Sequence, residues 1–451
     1  MDRARLARLT AEEEQRFVDA HPRSREHYER SRRSLLGGVP MNWMVRWAGA
    51  YPVVVAEASG AHFVDVDGHE YVDLCLGDTG AMTGHAPAAT ARAVSEQIRR
   101  GITLMLPTGD APWVGEELTR RFGLPAWQFT LSATDANRFA IRLCRAVTGR
   151  PRILVYDWCY HGTVDETFAT LDGGRVVPRE GSIGPPVDPA LTTAVVQWND
   201  LDALEAELAR GDIACVLAEP AMTNIGIVHA EPGYHARLRE LTRRTGTILI
   251  IDETHTLCAG PGGSTAADGL EPDMVTLGKA MGGGVPSGAY GMTAELAERV
   301  TAAIPEREAD VGGIGGTLAG NALSLAAMRA TLGEVLTENA FRHMIGLAER
   351  WERGVAAAIE AAGLPWHVTR LGCRAEYAFR PTAPRTGAEA AAALDPELDR
   401  FLHLWALDRG ILLTPFHMMA LMSPATTEAD VDRHTEVFGE ALEALTGGRV
   451  P

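Results

Sequence analysis

The chain has 451 residues, 46% hydrophobic and 22% charged, the composition of a globular protein and not of a disordered or fibrous one. Its net charge of −17 opposes contact with a phosphate backbone over a broad surface, so no nucleic-acid partner is expected. No apolar run reaches the roughly 18 residues of a membrane span, and the charged start MDRARLARLTAEEEQRF lacks the apolar core of a secretory signal, so neither membrane nor export is expected.

Residues 10–35 read as one polar helix, followed by the loop Gly37-Gly38-Val39-Pro40. Phe63–Leu74, FVDVDGHEYVDL, alternates apolar and polar residues around Asp67-Gly68 and predicts a hairpin. From about residue 87, helical patterns at 88–99, 112–122, 135–148, 201–210 and 234–245 alternate with short apolar runs. Those runs are Trp127–Leu131, Ile153–Tyr156, Ala194–Gln197, Ala214–Ala218 and Thr247–Ile251. Continuously apolar strands between helices predict an α/β protein with a large, mostly parallel sheet sandwiched by helices. Beyond the glycine-rich stretch 312–320, helices near 320–336, 338–362, 397–408 and 428–446 mix with strands at Ala375–Phe379 and Ile411–Leu413. This predicts a smaller α+β lobe. The expected division is an N-terminal segment of the small lobe at 1–60, a large domain at 61–325 and a small C-terminal domain at 326–451. Six cysteines (Cys75, Cys144, Cys159, Cys215, Cys258 and Cys373) show neither CxxC nor clustered Cys/His spacing. Reduced thiols, a cytoplasmic location and no metal centre are the expectation.

Of the 42 basic residues one is lysine, Lys279, and the other 41 are arginine. A GC-rich coding sequence accounts for the skew. Its chemical consequence is specific: arginine is not an amine nucleophile, so any side-chain imine must form on Lys279. Lys279 follows an apolar run beginning at Met274 and precedes a glycine run, at a strand's carboxyl end where open α/β sheets bind ligands. Asp252-Glu253 directly follows Ile248–Ile251, and a carboxylate at such a strand end calls for a cationic partner. Ser132-Ala133-Thr134-Asp135-Ala136, between a strand and a helix, reads either as a plain N-cap or as a phosphate seat. Tyr160, in Tyr160-His161-Gly162, reads either as core or as an aromatic that stacks on a planar ring.

The order of these pieces, with Ala218-Glu219-Pro220 between them, resembles the fold-type I pyridoxal-phosphate enzymes, and within them the class III aminotransferases. The resemblance runs from the hairpin to the C-terminus. Ala133 and Asp135 depart from the family's S-G-[ST]-E-A, and Asp252-Glu253-Thr254-His255-Thr256-Leu257-Cys258 departs from D-E-V-x-T-G-F. The resemblance implies pyridoxal 5′-phosphate bound as a Schiff base on Lys279, with Asp252 on the ring nitrogen. It implies Ser132, Ala133 and Thr134 on the phosphate, Tyr160 stacked on the ring, and Glu219 among the cofactor-binding residues. It also places Thr254 on the ring face and His255 within reach of the ring hydroxyl. Gly316-Thr317-Leu318-Ala319-Gly320-Asn321 resembles G-T-x-x-G-N, whose threonine binds the other subunit's cofactor phosphate. A homodimer with shared active sites follows.

For substrate, the resemblance extends to β-amino-acid aminotransferases, amine transaminases and glutamate-1-semialdehyde aminomutases. The loop Val39–Trp47 carries Trp43, Met44 and Arg46 where those relatives place a carboxylate-gripping arginine. It reads as packing or as an apolar pocket. His417 lies in a second apolar loop, and Arg374 is either a carboxylate partner or the ion-pair partner of an acid such as Glu376. The expected reaction moves an amino group from a hydrophobic primary amine to a keto acid, pyruvate, by a ping-pong cycle. The alternatives are a β-amino-acid aminotransferase, a glutamate-1-semialdehyde-type aminomutase, and a catalytically silent pyridoxal-phosphate binder.

Overall fold

The computed structural model describes residues 1–181, 183, 187–304 and 311–448. The chain divides into two compact units: one comprises residues 1–87, 342–383 and 393 onward, the other residues 88–341 and 384–392. These divisions differ from those expected at 60 and 325, for two reasons visible in the pairing. Strand Glu70–Asp73 pairs in parallel with Ile411–Leu412, which draws the hairpin into the first unit. Helix Ala322–Ala330 packs on helix Ala88–Ile98, which keeps it in the second.

In the second unit, seven strands form one sheet: β1 (Ala126–Thr130), β2 (Arg152–Tyr156), β3 (Thr193–Val196), β4 (Ile213–Ala218), β5 (Ile248–Asp252), β6 (Met274–Leu277) and β7 (Gly288–Met292). Their order is β1-β7-β6-β5-β4-β2-β3. Only β7 runs against its neighbours, β6 and β1. Every residue of β3, β4, β5 and β6 is buried, as expected of strands covered on both faces. The alternating rhythm read from the sequence therefore gives the sheet, with strand ends shifted by about one residue. The exception is β7, GAYGM, whose two glycines leave no apolar run to read. Gly291 is dictated by packing: a Cβ there would lie 2.6 Å from the Trp127 indole.

In the first unit, the expected helix 10–35 is two helices, Arg3–Ala20 and Pro22–Ser31. Pro22 is the reason. It disfavours helical backbone at the residue before it, and His21 sits at φ −119°, ψ 50°. Phe17, Tyr51, Phe63, Tyr71, Leu404 and Leu407 form an apolar cluster that joins the N-terminal segment to the hairpin and to helix Pro396–Leu407. The hairpin forms as expected, strands His62–Asp65 and Glu70–Asp73 joined through Gly68 at φ +95°. All six cysteines are buried, and none is joined in a disulfide among the described residues. No helix among the described residues is long and apolar enough to cross a membrane.

Candidate active site

The second unit gathers its chemistry at the carboxyl ends of β5 and β6. Asp252, the last residue of β5, is 3% exposed and accepts on both carboxylate oxygens. Oδ1 takes the Thr254 N–H at 3.0 Å and the Thr254 hydroxyl at 2.5 Å. Oδ2 takes Asn137 Nδ2 and His161 Nδ1, each at 2.8 Å. Asn137 is oriented in turn by the Thr276 hydroxyl, 2.7 Å from its Oδ1. Burial raises the Asp252 carboxyl, but the hydrogen bond and charge of His161 outweigh it and hold the carboxyl down at about 2. Burial lowers His161, while Cys159 and Asp252 together push it up to about 10. The pair is thus a buried carboxylate–imidazolium, with Asp252 on Nδ1 and Cys159 as the second side chain acting on the ring. Sequence reasoning misses Asn137, His161 and Thr276 as site residues. The order of motifs marks strand ends, whereas these three reach Asp252 from other elements.

Glu253 is structural. It accepts from the Thr256 and Thr265 hydroxyls and from the Ser264 and Thr265 N–H groups, and so fastens the following turn. Glu219 accepts from the N–H and the hydroxyl of Thr223, four residues on. Thr254 spends its hydroxyl on Asp252.

Lys279 opens the turn after β6 with φ +51°, a left-handed conformation that costs a non-glycine residue on the order of 1–3 kcal/mol. Its Nζ lies 2.7 Å from His255 Nε2. The preceding Gly278 has ordinary extended backbone, and its requirement is steric: a Cβ would sit 2.7 Å from both N and Cβ of Ala133. That close approach sets the strand end bearing Lys279 against the first turn of helix Ala133–Thr148. Ser132 caps this helix, accepting from Asp135 N at 3.2 Å. The N–H groups of Ala133 and Thr134 have no carbonyl four residues back within the helix, so the turn offers unsatisfied donors and the positive dipole end.

Thr134 is anchored by its hydroxyl, which accepts from Thr163 N at 3.1 Å. Gly162 packs beside it at φ +78°, where a Cβ would approach Thr134 Oγ1 to 2.1 Å. Gly162→Ala therefore strains the backbone and pushes Thr134 off its seat. We expect it to destabilise the protein by about 1–3 kcal/mol and to weaken phosphate-bearing ligands, readable as a lower melting temperature and a weaker pyridoxal-phosphate titration. Tyr160 is 38% exposed and edge-on to Phe168 at 6.2 Å. Thr317 is exposed and takes no part in the Asp252 network.

These residues fit pyridoxal phosphate on their own chemistry. One amine sits in a strained, fixed position, a buried carboxylate is held ionised, and a helix start presents N–H groups. Sequence comparison decides the family: the class-III aminotransferase model matches residues 43–442. The chain belongs to the class III aminotransferases. They are pyridoxal-phosphate-dependent enzymes of fold type I.

The aminotransferase is 53% identical to a glutamate-1-semialdehyde aminomutase from Pseudomonas aeruginosa PAO1, with TM-score 0.97 over 99% of both chains. It is 36% identical to the glutamate-1-semialdehyde 2,1-aminomutase of Thermomicrobium roseum over 89% of this chain and 94% of that protein. A β-phenylalanine aminotransferase from Variovorax paradoxus is 27% identical, with TM-score 0.87 over 99% of both chains.

The expected substrate residues all lie in the first unit of the aminotransferase. Trp43 and Met44 line a cavity of about 400 Å³ together with Trp47, Val53, Phe63 and Leu412. Arg46 lies over the Phe416 ring at 5.3 Å, and Trp43 meets the same ring edge-on at 5.5 Å. Arg374 is fully buried and ion-paired with Glu376, its Nε 2.8 Å from Oε1. His417 Nδ1 stands 3.9 Å from Glu376 Oε2, and burial pushes its imidazole down. Of the two readings open for Arg374, the geometry takes the ion pair.

Proposed function

We propose that this chain moves an amino group within one small molecule, as an aminomutase acting on glutamate-1-semialdehyde or a close homologue. The likeness to aminomutases, over 99% of both chains in one case and 89% of this chain in another, carries this reading. Bound at the site, pyridoxal phosphate supplies an electron sink for the carbanion formed when a substrate C–H bond ionises. The chain's own residues do the rest. Asp252, held ionised by His161, Asn137 and Thr254, fixes a proton on the ring nitrogen. Ser132, Ala133 and Thr134 hold the phosphate at the helix start. The Lys279 amine anchors the cofactor and carries the proton between carbon atoms, with His255 Nε2 in hydrogen-bond reach of it.

Two copies make the working unit. Ile98, Leu104, Met105, Leu106, Val311 and Leu318 are exposed apolar side chains of the second unit, with Met105 and Leu106 each 75% exposed. Ala322 N donates to Ile102 O, which joins the two segments that carry them, beside Thr317. An apolar patch next to Thr317 supports a homodimer in which that threonine serves the partner's cofactor.

A second reading keeps the transfer between molecules, from a hydrophobic primary amine to a keto acid such as pyruvate. The Trp43- and Met44-lined cavity and the engagement of Arg374 by Glu376 favour it, since they leave apolar surface in place of a carboxylate clamp. Cofactor-loaded enzyme given glutamate-1-semialdehyde without any keto acid separates the two. Conversion to the isomer with its amino group on carbon 1 is the expected result. Absence of conversion, with turnover of 1-phenylethylamine only when pyruvate is added, would establish the second reading instead.

A further inference from the structure

A cluster in the first unit plays no part in the chemistry above. His21, between the two N-terminal helices, and Asp65, at the end of strand His62–Asp65, are each 2% exposed. His69, just before the next strand, leaves 43% of its side chain in solvent. His21 Nε2 is 3.5 Å and His69 Nδ1 is 3.1 Å from the same oxygen, Asp65 Oδ2. One ligand atom from each residue lies within 4.8 Å of the other two. Tetrahedral zinc with bonds of about 2.0–2.1 Å sets its ligand atoms about 3.3 Å apart, close to both short separations.

The surroundings orient each ligand as a metal centre does. His21 Nδ1 lies 2.7 Å from the Phe17 carbonyl, so Nδ1 donates and the Nε2 lone pair faces the cluster. Asp65 Oδ1 is occupied by the N–H groups of Asp67 and His69 at 2.9 and 2.8 Å, which leaves Oδ2 turned inward. The Tyr71 hydroxyl sits 2.7 Å from His21 Nε2 and 3.1 Å from Asp65 Oδ2, and turning its proton to the carboxylate frees the imidazole. His69 supplies the path from solvent.

We propose that His21 Nε2, His69 Nδ1 and Asp65 Oδ2 bind one Zn²⁺ ion, with the Tyr71 hydroxyl or water in the fourth position, pinning the N-terminal helices to the hairpin. The test uses the full-length, cofactor-loaded protein, stripped with chelator and dialysed, then titrated calorimetrically with ZnCl₂ and separately with CoCl₂. We expect one ion per chain, cobalt bands of tetrahedral intensity, and a melting temperature raised by at least ~2 °C. Because His69 is half in solvent, His69→Ala folds even if His21→Ala does not, and it should weaken binding at least about tenfold and abolish the melting shift. Absence of saturable binding would overturn the site and leave a hydrogen-bonded network only. Undiminished affinity and an unchanged cobalt spectrum in His69→Ala would overturn it equally, by placing the ion elsewhere.

Discussion

Lys279→Ala is expected to remove both turnover and the borohydride-stable attachment of pyridoxal phosphate, with activity falling at least about 1,000-fold. No other side-chain amine exists in the chain to take over, because the remaining 41 basic residues are arginines. Lys279→Arg should be equally inactive, since a guanidinium keeps the charge but not the nucleophile. The alanine variant should fold. Alanine meets the same left-handed backbone at φ +51°, and truncation gives up the hydrogen bond between Nζ and His255 without opening the sheet. An unchanged melting temperature for the cofactor-free protein, with activity gone, is therefore the predicted pair of readouts. Retained reducible attachment in Lys279→Ala would mean that the cofactor sits elsewhere.

Asp252→Asn is the second large effect. The substituted amide places an N–H₂ among donors from Asn137, His161 and Thr254, and removes the anion that His161 faces. Activity should fall at least about 100-fold, the cost of losing one preorganised electrostatic partner. Stability should fall by about 3 kcal/mol, as when one member of a buried pair is deleted. The pH dependence separates this from a general packing defect. In the parent protein Asp252 is held below its unfolded value, so its contribution is present above about pH 4 and fades as pH falls toward about 2. His161 is held above its unfolded value, so its contribution is complete below about pH 6.5 and is lost as pH rises through about 10. Asp252→Asn should make both limbs shallower than the parent's in urea-unfolding series taken across pH. A variant that keeps the parent's alkaline loss of stability would show that His161 is not paired as described.

Much of the frame is legible in the sequence, because parallel strands buried on both faces leave runs that periodicity detects. The ends of β5 and β6 are legible for the same reason, and with them Asp252 and Lys279. What stays hidden depends on neighbours far away in sequence. Asn137 and His161 reach Asp252 across 115 and 91 positions, and no local pattern distinguishes either from an ordinary helix or loop residue. Gly278 is similar: its need for glycine comes from Ala133 and not from its own backbone. Strand β7 escapes because its glycines make room for Trp127 instead of presenting apolar side chains. The break at His21 is legible in Pro22, but the polar periodicity across it reads as continuous.

The near-absence of lysine has one more consequence. Aldehydes, the cofactor among them, form imines with any accessible lysine amine. Here the other cationic side chains are guanidinium, which simple aldehydes leave alone, so side-chain imines form at Lys279 and nowhere else. Apart from the α-amino terminus, the protein's exterior therefore offers no amine to the carbonyl compounds its interior is built to capture.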